Sequence, residues 1–137
     1  MVTLSPYIHF KDTAREAMEF YKSVFGGKLD MSTFKEANMS QDPSDENKIM
    51  HAMLVSENGL TLMGADTPLH MEYKPGASIS ICLSGDEEPT LKGYWEKLSA
   101  GAIITVPLAK AQWGDSFGML VDKYGIEWFV NITQPKA

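Results

Sequence analysis

The sequence lacks several features that would place the chain in a membrane, outside the cell or on nucleic acid. Cys82 is the single cysteine in 137 residues, so no internal disulfide can form, which is typical of a reducing compartment. No stretch approaches the roughly 18 apolar residues of a membrane-spanning helix, and the first residues do not resemble a secretory signal. The formal net charge is -6 without a basic cluster, whereas nucleic-acid binders carry a basic stripe. We therefore expect a cytoplasmic protein with no nucleic-acid partner and no membrane partner.

Glycine-rich nucleotide-binding motifs are also absent from the sequence, so nothing in it supports a methyltransferase or a dinucleotide-dependent enzyme. The remaining composition is that of an ordinary globular protein. Hydrophobic residues make up 44% of the chain and charged residues 22%. A chain of 137 residues has the usual length of one domain.

The first half of the chain predicts the element order β-α-β-β-β. Alternation over residues 5–10 predicts a strand, and Thr13-Ala14-Arg15-Glu16 has the form of a capping box that opens a helix. Gly26-Gly27 ends this helix, because glycine accepts the conformation found just past a helix. Its predicted buried face consists of Ala14, Ala17, Met18, Tyr21, Val24 and Phe25. Strands are predicted over 28–35, 48–56 and 59–64, with a polar mobile loop over 36–47 and a tight Asn58-Gly59 turn.

The same order begins again after a connector over residues 65–76. A strand is predicted over 77–83 and a helix over 86–100, with Pro89 in its first turn and Gly101 after its end. The apolar helix positions are Leu91, Tyr94, Trp95 and Leu98, and strands are predicted over 103–107, 116–122 and 127–133. The order of elements therefore repeats. Phe20-Tyr21 before Gly26 and Tyr94-Trp95 before Gly101 add a weak sequence similarity between the two halves.

Three phrases of the sequence carry a resemblance to a known superfamily. They are Ala17-x-x-Phe20-Tyr21-x-x-Val24-Phe25-Gly26, His51-Ala52-x-Leu54, and Trp113-Gly114-Asp115-x-x-Gly118 followed by Asp122-x-x-Gly125-x-x-Trp128. With the repeat, they resemble the vicinal oxygen chelate superfamily of glyoxalases, extradiol dioxygenases and bleomycin-resistance proteins, and within it the PhnB-like branch. The resemblance covers nearly the whole chain.

The resemblance implies a single glyoxalase-like α+β domain over residues 1–137. It would contain two tandem βαβββ modules, over about 1–65 and about 77–137, with the connector at about 65–76. Each module would form a curved mixed sheet with its helix on the convex side and ligand on the concave side. The resemblance also implies a homodimer.

Strand alternation then predicts which side chains face the ligand side, because neighbouring residues of a strand point to opposite faces. Ile8, Phe10, Met50, Ala52, Leu54 and Trp128 are expected on the helix side. The expected inward residues are Ser5, Tyr7, His9, His51, Met53, Ser78, Ser80, Cys82, Glu127, Phe129 and Asn131.

Metal-dependent members of the superfamily carry His or Glu at four inward positions, which here correspond to Ser5, Met63, Ser80 and Phe129. None of these side chains is a good ligand for a divalent ion, so we expect neither a metal nor another cofactor. A displaced site of His9, His51 and Glu127 is the alternative, since two histidines and one carboxylate can hold a metal.

Two functional hypotheses follow. The first is a metal-free small-molecule binding protein of the glyoxalase/bleomycin-resistance type, its ligand contacting Tyr7, His9, His51, Met53, Met63, Trp113, Glu127 and Phe129. The second is a lyase, isomerase or dioxygenase acting on a small oxygen-rich substrate, with a displaced metal or with His9 and His51 as the acid/base pair. Cys82 is a further candidate, as a nucleophile activated by a nearby histidine. For the two histidines and for Cys82, a purely structural role is the competing interpretation. For Trp113 the competing interpretation is packing at a dimer contact.

Overall fold

The computed structural model describes residues 2–76, 78–112 and 114–134. Over these residues the chain forms two compact units, one up to Pro75 and one from Gly76. Each unit contains a four-stranded mixed sheet and an α-helix in the order βαβββ. The predicted α+β fold with two successive modules is therefore confirmed. The two α-helices have 12 and 11 residues. No helix within the described residues is long and apolar enough to cross a membrane.

The first unit is built from four strands and one α-helix. These are β1 (Tyr7–Phe10), α1 (Ala14–Phe25), β2 (Lys28–Thr33), β3 (Ile49–Val55) and β4 (Thr61–Asp66). The strand order is β1-β4-β3-β2, with β1 parallel to β4 and the other pairs antiparallel. In the turn between β3 and β4, Gly59 has a φ of 81° and its N–H donates to the Ser56 carbonyl at 3.0 Å. Asn58 does not have a positive φ, so of the predicted Asn-Gly pair only the glycine takes the left-handed conformation.

The second unit repeats this arrangement. It contains β5 (Ile81–Gly85), α2 (Glu88–Leu98), β6 (Ile103–Lys110), β7 (Ser116–Val121) and β8 (Glu127–Ile132). The strand order is β5-β8-β7-β6, and β5 is parallel to β8. The two units thus share one topology.

Helix α1 buries the face that its sequence predicts. All six predicted positions of that face are buried, and α1 packs on β2, β3 and β4. The helix ends at Gly26, whose φ is 70° and whose N–H donates to the Lys22 carbonyl at 2.8 Å. The apolar spacing therefore determines which side of α1 meets the sheet.

The predicted capping box at the start of α1 is wrong. The Thr13 side chain makes no capping hydrogen bond. Instead, Asp66 at the end of β4 accepts a hydrogen bond from the Ala14 N–H through Oδ1 and one from the Ile49 N–H through Oδ2, both at 2.9 Å. A carboxylate replaces a hydroxyl here because its charge is favourable at a helix N-terminus.

Several predicted strand and helix boundaries are shifted. Strand β1 starts at Tyr7, so Ser5 lies before it, and β5 starts at Ile81, so Ser78 and Ser80 precede it. Strand β4 continues to Asp66, inside the predicted connector. Strand β6 continues through Pro107 to Lys110, because an edge strand tolerates the missing proline N–H.

The predicted mobile loop over residues 36–47 contains a short 3-10 turn, Pro43–Asp45, and one buried carboxylate. Asp45 is 1% exposed, ion-paired with Lys48 Nζ at 2.9 Å, and accepts from the Leu69 N–H at 3.2 Å. Lys48 also reaches Asp12 at 3.3 Å. This ion-pair cluster joins the loop to two other segments of the first unit.

Candidate functional site

We use the term open face for the side of each sheet opposite its helix. On the first sheet the helix side is filled by Ile8, Phe10, Ala52 and Leu54, all of which are buried. Tyr7 and His9, which alternate with them on β1, therefore lie on the open face, as does Met53 on β3. Strand register aligns Tyr7 with Met63 and Met63 with Met53, which places these three side chains in one row.

Three aromatic rings of the first open face lie together. The Tyr7 ring centroid is 5.2 Å from that of His9 and 5.9 Å from that of His51. The Tyr7 hydroxyl oxygen lies 3.4 Å from His51 Nδ1. Desolvation raises the pKa of Tyr7 above its usual value, so its hydroxyl keeps its proton at neutral pH. The face therefore offers a phenol and two imidazoles beside two methionine thioethers.

The expectation that Met50 lies on the helix side is wrong, and the cause is a β-bulge. Ser32 pairs with His51 whereas Thr33 pairs with Ile49, so Met50 has no partner on β2. Ile49 is consequently the buried residue, at 1% exposure, and Met50 is half-buried. The bulge ends before His51, so the alternation from His51 to Leu54 is intact.

The second open face is formed by the alternate residues of β8. Trp128, Val130 and Ile132 are buried on the helix side, so Glu127, Phe129 and Asn131 belong to the open face. Phe129 contacts Phe117 edge-to-face, with centroids 5.4 Å apart, and strand register places Cys82 and Met119 on either side of it. Asn131 Nδ2 donates to Asp115 at 3.2 Å. Sequence reasoning missed Phe117 and Met119, although the alternation of β7 could have indicated them.

Cys82 lies on the second open face and is exposed. Neighbouring atoms nevertheless desolvate the thiol enough to raise the pKa of Cys82. A thiol with a raised pKa is a poor nucleophile at neutral pH. This favours the structural interpretation of Cys82 over the catalytic one.

The side chains at the expected metal positions do not fit a divalent ion. They offer the hydroxyls of Ser5 and Ser80, the thioether of Met63 and the phenyl ring of Phe129. The Ser80 hydroxyl donates to Glu127, which occupies one oxygen of that carboxylate. Within residues 2–76, 78–112 and 114–134, no three His, Cys, Asp or Glu side chains are grouped in a way that could hold a metal ion. His9 and His51 belong to the first unit and Glu127 to the second.

The remaining site prediction, Trp113, lies outside the described residues. Gly114, the next residue, has a φ of 98°, which is typical of a turn. Asp122 has a larger role than a turn: its carboxylate accepts from the Tyr124 and Ile126 N–H groups and from Trp128 Nε1, at 2.8, 3.1 and 2.9 Å. These bonds fix Trp128 in the core of the second unit.

The repeated topology and the two open faces define a glyoxalase-like protein. The same fold occurs in a glyoxylase/bleomycin resistance protein/dioxygenase domain from Frankia sp. EAN1pec, at a TM-score of 0.66 and 16% identity over 98% of each chain. The expected glyoxalase-like fold is thereby confirmed.

The chain belongs to the family described as 3-demethylubiquinone-9 3-methyltransferase, whose model matches residues 2–131. It is similar to protein PA1353 from Pseudomonas aeruginosa, with 33% identity and a TM-score of 0.84 over 98% of this chain and 100% of that one. It is also similar to a PhnB protein from Bacillus cereus that carries the same methyltransferase description. That match has 25% identity and a TM-score of 0.76 over 96% of this chain and 100% of the other. The PhnB-like resemblance is therefore confirmed.

Proposed function

We propose that this chain binds a small organic molecule on its open faces, without a metal ion. The observation that carries the proposal is the cluster of Tyr7, His9 and His51, whose rings lie 5.2 and 5.9 Å apart around Tyr7. Small-molecule sites combine an apolar surface with a few well-placed polar groups, and this face has both. Met53 and Met63 supply flexible thioethers that adapt to the shape of a ligand.

The side chains of the first open face indicate the chemistry of the ligand. The two imidazoles can each donate a hydrogen bond, and the Tyr7 hydroxyl oxygen, which lies 3.4 Å from His51 Nδ1, can accept one. Their ring faces favour contact with a flat or unsaturated group. We therefore propose an oxygen-rich molecule with an unsaturated part. On the second open face, Glu127 and Phe129 are the corresponding candidates.

A thermal-shift screen tests the binding proposal. The probes are bleomycin, catechol as a typical dioxygenase substrate, and a short-chain ubiquinone and S-adenosylmethionine as the substrate class and methyl donor of a ubiquinone methyltransferase. We expect at least one probe to raise the melting temperature of the wild type. His51→Ala should abolish that rise, whereas His70→Ala, which changes an exposed histidine of the connector, should leave it unchanged. An equal response of both variants would contradict a site at His51. A rise with S-adenosylmethionine that survives His51→Ala would instead favour a methyltransferase.

Metal analysis tests the metal-free part of the proposal separately. The protein is purified without chelator and without a histidine tag, and we expect far less than one metal ion per chain. A near-stoichiometric metal that disappears in His9→Ala and His51→Ala would overturn this part and favour the displaced site.

A specific contact favours a second candidate, an acid/base lyase or isomerase. With the Tyr7 hydroxyl donating to His51 Nδ1 at 3.4 Å, the neutral imidazole would carry its proton on Nε2. In that tautomer, His51 could give a proton to a substrate and His9 could remove one. The test is turnover of hydroxy-carbonyl compounds as a function of pH. Loss of turnover in both His9→Ala and His51→Ala, with binding intact, would establish this candidate.

We also propose that the chain forms a homodimer and is cytoplasmic. The proposal of a dimer rests on the superfamily resemblance. Sedimentation velocity tests it, and a mass of one chain at micromolar concentration would contradict it. The cytoplasmic location rests on the free Cys82 and is tested by cell fractionation.

A further inference from the structure

A cleft of about 520 Å³ opens on the helix side of the second unit, not on its open face. One wall is the face of α2 that carries Lys92, Trp95 and Glu96, and the other is formed by Leu108, Ala109 and Lys110 of β6. A volume of this size falls within the range of small-molecule sites, which is about 300–1,000 Å³. All of these residues belong to the second unit, so the cleft is complete within it.

The two helices cover their sheets differently, and this difference leaves room for the cleft beside α2. Helix α1 packs on β2, β3 and β4, whereas α2 packs on β5 and β8. Part of the β6–β7 surface is therefore left uncovered beside α2. The aligned aromatic residues differ accordingly, since Tyr21 of α1 is fully buried and Trp95 of α2 is only half-buried. Trp95 thus keeps accessible indole surface facing the cleft.

Gly118 on β7 sets the position of that indole. A Cβ atom added to Gly118 would lie 2.8 Å from Trp95 Cη2 and 3.0 Å from the Leu108 Cα. Only glycine therefore lets the Trp95 ring reach the sheet. Because the ring is held between the sheet and the helix, it offers a rigid aromatic surface, which costs little conformational entropy when a ligand binds.

The charged side chains around the cleft differ in whether they already form an ion pair. Lys92 is paired with Glu88 at 2.9 Å on the surface of α2. For Lys110, in contrast, the described part of the chain supplies no ion-pair partner. The Ser99 hydroxyl donates to the Trp95 carbonyl at 2.6 Å, so its proton is not available to a ligand. Glu96 disfavours a second negative charge on the helix side.

We propose that this cleft is a second binding site, for a planar aromatic molecule with one anionic group. The aromatic part contacts the Trp95 indole and the apolar side chains of Leu108 and Ala109. The anionic group pairs with Lys110. The chain carries a net charge of -6, so an anion is repelled by most of the surface and is bound where an amine is free. This site is independent of the function proposed for the open faces.

Titration of the ¹⁵N-labelled full chain with 2-naphthoate, followed by amide chemical shifts, tests the proposal. We expect the largest shifts at residues 92–99 and 108–110. Lys110→Glu should weaken binding by about 10-fold or more, equivalent to at least about 1.4 kcal/mol. Lys97→Glu makes the same charge change on α2 outside the cleft and should leave the affinity within about 2-fold of the wild type, which is within the usual effect of a screened surface charge.

The neutral 2-naphthalenemethanol lacks the carboxylate, so it should bind the wild type more weakly than 2-naphthoate does. For the same reason, its affinity for Lys110→Glu should equal its affinity for the wild type. Trp95→Leu should reduce the affinity for both compounds. Because Lys110 is exposed, its variant is expected to fold, and the test does not depend on the Trp95 variant. The proposal is overturned by any of three results: no shifts at millimolar 2-naphthoate, shifts confined to open-face residues such as Phe129, or equal weakening by Lys110→Glu and Lys97→Glu.

Discussion

Asp66 accepts a hydrogen bond from the backbone N–H of Ala14, the first residue of α1, at 2.9 Å across 52 positions of the sequence. The same carboxylate accepts from Ile49 N–H at the start of β3. One side chain thus joins the end of one strand to the beginnings of a helix and of another strand. It is 5% exposed, so water cannot replace it easily.

We expect Asp66→Ala to lower the free energy of unfolding by about 2–4 kcal/mol, because two buried N–H groups lose their acceptor. Asp66→Asn should cost less, since the amide oxygen still accepts one bond. Urea titration followed by circular dichroism measures both. Asp30→Ala, at an exposed position of β2, is the control and should change stability by less than about 0.5 kcal/mol. A cost as small for Asp66→Ala would contradict the role of its carboxylate.

Two glycines with positive φ should respond differently to alanine. Gly59 has a φ of 81° with no heavy atom within 4 Å of an added Cβ, so Gly59→Ala should cost only the left-handed strain of about 1–2 kcal/mol. Gly27 has a φ of 95°, and an added Cβ would lie 2.0 Å from the Val55 carbonyl oxygen. Gly27→Ala should therefore cost clearly more, about 3 kcal/mol or above, because strain and overlap add. Equal melting temperatures of the two variants would refute this ranking.

Lys48 gives a prediction that depends on pH. The hydrogen bond to buried Asp45 raises the pKa of Lys48, with a further contribution from Asp12. A raised folded-state pKa means that the stabilisation is fully present below the unfolded pKa of about 10.4 and is lost as pH rises through the folded pKa. Lys48→Met should thus cost about 3 kcal/mol at pH 7, because Asp45 loses its cation, and the difference from the wild type should shrink above about pH 10.4.

The matched control is Lys28→Met, since Lys28 and Asp30 form an exposed pair at 3.9 Å. It should change stability by less than about 1 kcal/mol at every pH. Unfolding titrations at several pH values between 7 and 11 separate the two variants. A Lys48→Met effect that stays constant to pH 11 would argue against the ion-pair cluster as its source.

Cys82 should react slowly with iodoacetamide near neutral pH. Its pKa is raised by desolvation, so less thiolate is present than in a free cysteine, whose pKa is about 8.5. We expect its alkylation rate to rise at a higher pH than that of the cysteine in a short blocked peptide measured in parallel. Mass spectrometry of the intact chain follows the reaction. An inflection below that of the reference thiol would mean that Cys82 is activated, and would reopen its role as a nucleophile.

Local patterns predicted what depends on neighbours in the sequence. The buried face of α1 follows from three- and four-residue spacing, and the opposite faces of Ile8 and His9 follow from strand alternation. The Asp66 cap could not be predicted, because its partner is set by the tertiary fold. Nor could the sequence predict that Ile49 rather than Met50 is buried, because this depends on a β-bulge opposite Thr33. Helices α1 and α2 cover different strands of their sheets, and the cleft at Trp95 depends on this difference. It could not be predicted either, because the order of elements is the same in both halves.

The central claim is that a small molecule binds beside Tyr7, His9 and His51, and the three histidines of the chain allow a direct measurement. Imidazole ¹H–¹³C NMR signals are recorded while the probe with the largest thermal shift is added. We predict that the His9 and His51 signals move together and saturate, whereas the signal of the exposed connector residue His70 does not change. Saturable binding that leaves both His9 and His51 unmoved would contradict the account.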